Sequence, residues 1–279
     1  MDKLMAQLQR LYFLDQQQGG GQDAPTGPLS QAMLAHSLRG DIRLELALES
    51  PAREVRALVV ELHRAGDWEQ AARLYLAIEE DLDLPAPAVS VSGREGYQLW
   101  FSLAEPVPLA DGAAFVAGLG RRYLAEIPPA KISLHPQGSP AAGSNRVHLV
   151  PAMRQESGKW SAFIDPSMGN MFLEGPWLEM APNMEKQADL LAPLKSIQTP
   201  DFYRALGLLA ADPAEAPPAA SRTGEAVRPA GAAPGNLLDG PFRDPRSFLL
   251  AVMNDPAAST RERIRAAKAL LPYFEPPAP

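Results

Sequence analysis

The segment from Ser92 to Ser102, Ser-Gly-Arg-Glu-Gly-Tyr-Gln-Leu-Trp-Phe-Ser, constrains the fold more than any other part of the chain. After Gly96 the side chains alternate: Tyr97, Leu99 and Phe101 fall on one side, Gln98, Trp100 and Ser102 on the other. A period of two is that of a strand. Before it, Gly93 and Gly96 permit a tight turn and a close backbone approach, because glycine tolerates positive φ and has no Cβ. Such a turn feeding an aromatic strand suits a bound nucleotide. It equally suits an ordinary hairpin entering a core strand.

The same patterning extends in both directions. Ile42, Leu44, Leu46 and Leu48 alternate with polar neighbours, and Ser50-Pro51-Ala52 then turns the chain into a second strand, 55–62, expected to pair antiparallel with the first. A helix is expected over 67–82, with Trp68, Ala71, Ala72, Tyr75 and Ile78 on its buried side, and another over 109–127. Further strands fit 89–91, 130–135, 146–150 and 160–164. Strand pairs separated by long helices predict an α+β sandwich, with helices on one face of a mainly antiparallel sheet.

This reading divides the chain into five parts. Residues 1–40 hold two short helices and a Gln/Gly-rich spacer at 16–28; 41–182 form the α+β domain; 183–209 are a helical extension broken at Pro193 and Pro200. Residues 210–240, rich in Ala, Pro and Gly, read as a disordered linker. In the tail, 241–279, Phe248, Leu249, Val252 and Met253 share one helical face, and Ser259 and Glu262 have capping-box spacing before a second helix.

Composition narrows the class. A hydrophobic content of 46% supports a real core, and the absence of cysteine excludes disulfides and thiolate metal sites and fits a reducing cytoplasm. The first residues lack a basic n-region with an apolar run, and no stretch of about 18 apolar residues occurs, so neither a secretory signal nor a membrane partner is expected. A formal net charge of −7 weighs against autonomous binding of duplex DNA, though not against a local basic patch. Phosphate-loop, dinucleotide, nucleophile-elbow and His-Glu-x-x-His motifs are missing.

The block Ser92–Phe101 followed by Glu105-Pro106-Val107-Pro108 resembles the signature of the archaeo-eukaryotic primase (prim-pol) superfamily, with one inserted residue at Arg94-Glu95 and Gln98 where the family often has His. The resemblance covers roughly residues 41–182 and implies an RRM-like core, with a nucleoside triphosphate bound near Ser92, Gly93 and Gly96. It further implies divalent metal, Mn2+ or Mg2+, held by acids on neighbouring strands, and a role in DNA replication on single-stranded or primed nucleic acid. The first acid motif aligns with Glu61 and His63, where histidine replaces one acid and shifts the preference toward Mn2+. The third aligns with Asp165, and these three would be the catalytic and metal-binding residues. Glu61 and His63 also read as a solvated strand end, and Asp165, before a proline, as a turn initiator. Ser133 and His135 reproduce a Ser-x-His pattern that contacts phosphates in the family, and Arg146 would face the triphosphate. His135 alone reads as a surface histidine.

Two acids where the family has three leave two functions open. One is metal-dependent nucleotidyl transfer. The other is a catalytically inactive binding or scaffold module. The tail, residues 244–274, resembles a helical segment of small-terminase-like phage proteins. That implies a mobile-element or phage context and a protein partner docked by the tail.

Overall fold

The structure is a computed structural model and describes residues 1–14, 19–21, 24–27, 30–138, 145–211, 245–254, 263, 267 and 270. From the N-terminus the elements are α1 (Asp2–Tyr12), β1 (Gly19–Gly21), β2 (Ala24–Gly27), α2 (Gln31–Arg39), β3 (Glu45–Ala47), β4 (Glu54–Leu62), α3 (Trp68–Glu80), β5 (Ala88–Val91), β6 (Tyr97–Pro108) and α4 (Leu109–Tyr123). They continue with β7 (Ile132–His135), β8 (Arg146–His148), β9 (Ala152–Met153), β10 (Trp160–Ile164), α5 (Met184–Leu191), α6 (Thr199–Ala210) and α7 (Pro245–Asn254).

The central sheet has six strands in the order β7-β4-β6-β5-β10-β9, each pair antiparallel. Within it, β4-α3-β5 and β6-α4-β7 interlock, so that the four strands of this unit stand fourth, first, third, second. That is the split β-α-β arrangement of an RRM-like core. The fold class is therefore α+β, built on a mainly antiparallel sheet with packed helices.

Helices cover both faces of this sheet rather than one. Val55, Leu58, Val60 and Leu62 of β4 join Tyr97, Leu99, Phe101 and Leu103 of β6 in a core closed by α3, α4 and α6. The opposite face carries Ala57, Val59 and Trp100, which would be left wet if only one face were covered. Instead Leu4, Leu8, Leu11 and Tyr12 of α1 pack there, with α2, α5 and strands β3 and β8. Trp100 and Tyr12 are almost wholly buried, their rings 5.3 Å apart. Each such side chain contributes about 1.5–3 kcal/mol of burial. The N-terminal helix thus belongs to the core of the domain.

Two local expectations are corrected. β3 does not form a hairpin with β4; it joins a four-stranded sheet, β2-β1-β3-β8, and only a single bridge, Glu49 to Val55, links the two strands. Both edges of β4 are already taken, by β6 and β7. The Gln/Gly-rich spacer likewise contains strands β1 and β2, which extend the edge of β3 through backbone pairing and so need no apolar side-chain pattern.

The chain divides into two compact units, residues 1–218 and 219–279. The second contains α7. The expected linker at 210–240 lies outside the described residues from 212 onward, its first residue ending α6, and the capping box at 259–262 also lies outside them. No helix among the described residues is long and apolar enough to cross a membrane.

Candidate functional site

The turn at 92–96 closes on itself. Ser92 donates its N–H to Gly96 O (2.8 Å), and its Oγ accepts from the N–H groups of Arg94 (3.2 Å) and Gly96 (3.1 Å). Gly93 has φ +72° and donates to Pro176 O (3.1 Å), which fastens the loop before Trp177 over the turn. A Cβ at Gly96 would stand 1.7 Å from Leu62 O, at the end of β4. Glycine is therefore required by a close backbone approach. The N–H groups of Gly93, Arg94 and Gly96 are all occupied inside the protein, so the turn shapes a site more than it donates to one.

Beside the turn lies a cleft of about 690 Å3, lined among others by Glu61, His63, Ser92, Gly93, Arg94, Gly96, His148, Arg154, Glu156, Lys159 and Trp177. Its floor is a buried polar chain. Trp100 Nε1 donates to Ser90 Oγ (3.2 Å), Ser90 Oγ to Gln98 Oε1 (2.9 Å), and Gln98 Nε2 to Glu61 Oε1. Gln98 therefore orients Glu61. His135 Nε2 stands 3.6 Å from the other oxygen of Glu61. Burial alone would raise the Glu61 pKa, but His135 and Gln98 outweigh it and hold the carboxyl below its ordinary value. His63 Nε2 and Ser133 Oγ are 2.8 Å apart.

The wall is cationic. Arg154 is only 5% exposed and donates through Nε to Ser92 O (2.9 Å). Among the described residues it has no carboxylate at ion-pair distance, whereas Arg43 and Arg94 both pair with Glu156. Burial first, then the charges of nearby Arg94 and Arg43, lower the Arg154 pKa to about 10. Lys159 is held by Glu179 and lies over the Trp177 ring, 5.3 Å from its centroid. Glu61 and Glu156 oppose the Arg154 shift through space only, so Arg154 is a buried guanidinium whose carboxylates stand beyond ion-pair distance, at the wall of an open cleft.

His148 lines the same cleft. Burial, followed by the charge of Arg154, lowers its pKa to about 4. In the unfolded chain imidazole titrates near 6.5, so between these values the unfolded state binds the extra proton. Stability is thus undiminished by this group above pH 6.5 and falls as the pH drops from 6.5 toward 4, by roughly 2–3 kcal/mol at most. Urea unfolding at pH 7 and pH 4.5 should show a smaller acid loss in His148→Gln than in the parent protein; equal losses would contradict this.

The sequence-predicted residues divide into three groups. Glu61, His63, Ser92, Gly93 and Gly96 line the cleft. Ser133 and His135, on β7, stand behind it, in contact with His63 and Glu61. Arg146 and Asp165 do not line it. Arg146 is exposed on β8, opposite Ala47 of β3, while His148, two residues on, reaches the cleft.

Asp165 is carried away by strand direction: β10 starts beside the cleft, after Lys159, and ends at Ile164, opposite Val89 of β5. Its carboxylate caps the following 3-10 turn, accepting from Ser167 N (2.9 Å) and Ser167 Oγ (2.7 Å), bonds that lower its pKa. Asp165 faces a different pocket, beside Tyr75 and Asp189. β6 and β5 separate β4 from β10, three strand spacings or about 14 Å. Glu61 and Asp165 therefore cannot share a metal ion. Among the described residues no group of three or more His, Asp or Glu could hold one.

Sequence reasoning missed Arg154, Glu156, His148 and Trp177 as cleft residues. The opposite charges of Arg154 and Glu156, either side of Gln155 and just before the Ser157-Gly158 turn, were the available signal.

Fold and site together define an α+β domain with a charged cleft at one end of its central sheet. No family model and no curated protein matches the chain. Solved structures similar to it include the following two. One is the AEP domain of the primase-polymerase of cyanophage S-2L, 16% identical over 68% of this chain and 97% of that one, with a TM-score of 0.40. The other is the polymerase domain of Mycobacterium tuberculosis ligase D in complex with DNA, 15% identical over 64% of this chain and 71% of that one, with a TM-score of 0.41.

Proposed function

We propose that this chain is a prim-pol-like nucleotide-binding module, with a nucleoside phosphate in the cleft beside the 92–96 turn. The observation that carries the reading is Arg154, buried, without a carboxylate partner among the described residues, and exposed to the cleft only at its wall. Arg94 adds a second guanidinium from the turn, and Trp177 an aromatic face of the kind on which bases stack. Ser92, Gly93 and Gly96 set the shape of the site; Glu61 and His63 form its floor. The sequence resemblance around Ser92–Pro108 supports a nucleotide over another anion.

Of the two functions held open by the sequence, the binding module is favoured by strand order. With β4 and β10 separated by β6 and β5, Asp165 does not join Glu61 in a two-metal clamp, and among the described residues no His, Asp or Glu cluster fits the Mn2+ or Mg2+ pair of a polymerase. The reading accordingly contains no transfer step. Nucleic acid would be held through its phosphates at the same wall, weakly in a chain of net charge −7. The mobile-element context and the tail's protein partner rest on the sequence resemblance alone.

Isothermal titration with dATP, with and without Mn2+, tests this reading. Binding is expected without metal, and it should survive Glu61→Gln combined with Asp165→Asn. Binding that requires Mn2+ and disappears in the double variant would establish the transferase instead. No dATP binding under either condition would overturn the nucleotide assignment.

A further inference from the structure

Two arginines from separate parts of the chain share one carboxylate, Glu156, and a third, Arg154, lines the same cleft. Arg43 precedes β3, Arg94 lies in the 92–96 turn, and Arg154 follows β9. The Nη2 groups of Arg43 and Arg94 both reach Glu156 Oε1, the second at 3.3 Å. Arg154 and Glu156 line both the main cleft and a smaller crevice, and Arg43 lines only the crevice. Glu156 therefore stands between Arg43 and the cleft. Its side chain is 56% exposed and can swing into water, whereas Arg154 is fixed by burial and by Ser92 O. Against these three positive charges stand Glu156 and, on the cleft floor, Glu61, which still leaves the wall with a surplus of positive charge.

We propose that Glu156 is an internal stand-in for phosphate: Arg43, Arg94 and Arg154 form a subsite for the end of a polyphosphate chain, and Glu156 swings out when that chain enters. A single phosphate engages Arg154 and Arg94 with Glu156 still in place. A di- or triphosphate is long enough to pass Glu156 and reach Arg43. The subsite thereby selects for phosphate-chain length. The inference rests on the reading of the cleft as a phosphate site, but not on the presence of a base.

The test uses the full-length chain and inorganic orthophosphate, pyrophosphate and tripolyphosphate as titrants, because these lack a base. Glu156→Gln removes the competing charge and should tighten tripolyphosphate binding about fivefold to tenfold, with orthophosphate changed less than about twofold. Arg43→Gln should abolish the preference for tripolyphosphate over orthophosphate. Both side chains are partly exposed, and melting curves verify that each variant folds. Unchanged or weaker tripolyphosphate binding in Glu156→Gln, a retained preference in Arg43→Gln, or no binding of tripolyphosphate at all would each overturn the proposal. A dATP titration in parallel separates the two claims. If dATP binds no tighter than tripolyphosphate while Glu156→Gln behaves as expected, the nucleotide reading fails and the subsite stands. If dATP binds well but Glu156→Gln has no effect, the reverse holds.

Discussion

Replacing Arg154 with methionine is expected to raise the melting temperature and at the same time remove phosphate binding from the cleft. The guanidinium is buried, has no carboxylate at ion-pair distance among the described residues, and lies in the positive field of Arg94 and Arg43, only partly offset by Glu61 and Glu156. An ion taken out of water without a close partner costs several kcal/mol, and exchange of buried charges for apolar groups of similar length is often stabilising by about 1–4 kcal/mol. Against that stands the lost bond from Nε to Ser92 O, worth about 1 kcal/mol. The net gain is about 1–2 kcal/mol, or a rise of about 2–5 °C for a domain of this size. Affinity moves the other way. A desolvated guanidinium bonded to phosphate is worth at least about 2 kcal/mol, so dATP and tripolyphosphate should bind about 30-fold or more weakly. Calorimetric melting and titration of the same preparation read both effects. A fall in melting temperature with binding intact would make Arg154 a structural residue and remove the basis for the proposed function.

The largest expected loss of stability is that of Gly96→Ala. The added Cβ would meet Leu62 O at 1.7 Å, Leu62 C at 2.7 Å and His63 Cα at 3.0 Å. All three are backbone atoms of the segment that β6 pairs with through Leu62 and Tyr97, so no side chain can give way. Relief requires moving the start of β6 off the end of β4, which breaks the central pairing and the turn over the cleft. A cost above about 4 kcal/mol is expected, among the largest for a single substitution, and it should appear as a melting temperature lower by about 10 °C or as loss of cooperative unfolding. Gly66→Ala is the control: a Cβ there has nothing within 4 Å, and its φ is not positive, so it should melt close to the parent protein. A Gly96→Ala protein within about 1 kcal/mol of the parent would mean that the turn does not approach β4 as described.

Most of the central unit was legible in the chain because its periods are strong. The alternation of Tyr97, Leu99 and Phe101 against Gln98, Trp100 and Ser102 corresponds to two real faces of β6, each closed by its own core. Helices at 68–80 and 109–123 fall where their apolar stripes predicted, the second ending four residues short of 127. What patterning could not supply was the choice of partner. The 42–48 alternation specifies a half-buried strand, but not whether its neighbour is the next strand in sequence or β8, about a hundred residues later. β1 and β2 were missed for a related reason: paired through backbone, a glycine-rich strand leaves no side-chain period to read.

The site divides along the same line. Local chemistry identified the 92–96 turn, since only glycine meets the steric demand at Gly96, and placed polar residues at the end of β4. Asp165 has the local sequence of a strand-end acid, yet its carboxylate caps a turn three strands away, because strand order and strand direction are properties of the whole sheet. The arginine wall was equally invisible. Arg43, Arg94 and Arg154 follow one another at intervals of some fifty and sixty residues and meet only when the turn, the β9–β10 hairpin and the start of β3 converge. By itself the sequence determined the periods, hence the faces, and the glycines, hence the turn, because both are set by atoms within a few residues of one another. Which charges share a cleft, and which are left there without a partner, was decided by tertiary structure alone, because Coulomb interactions and desolvation depend on distance in space and not on distance along the chain.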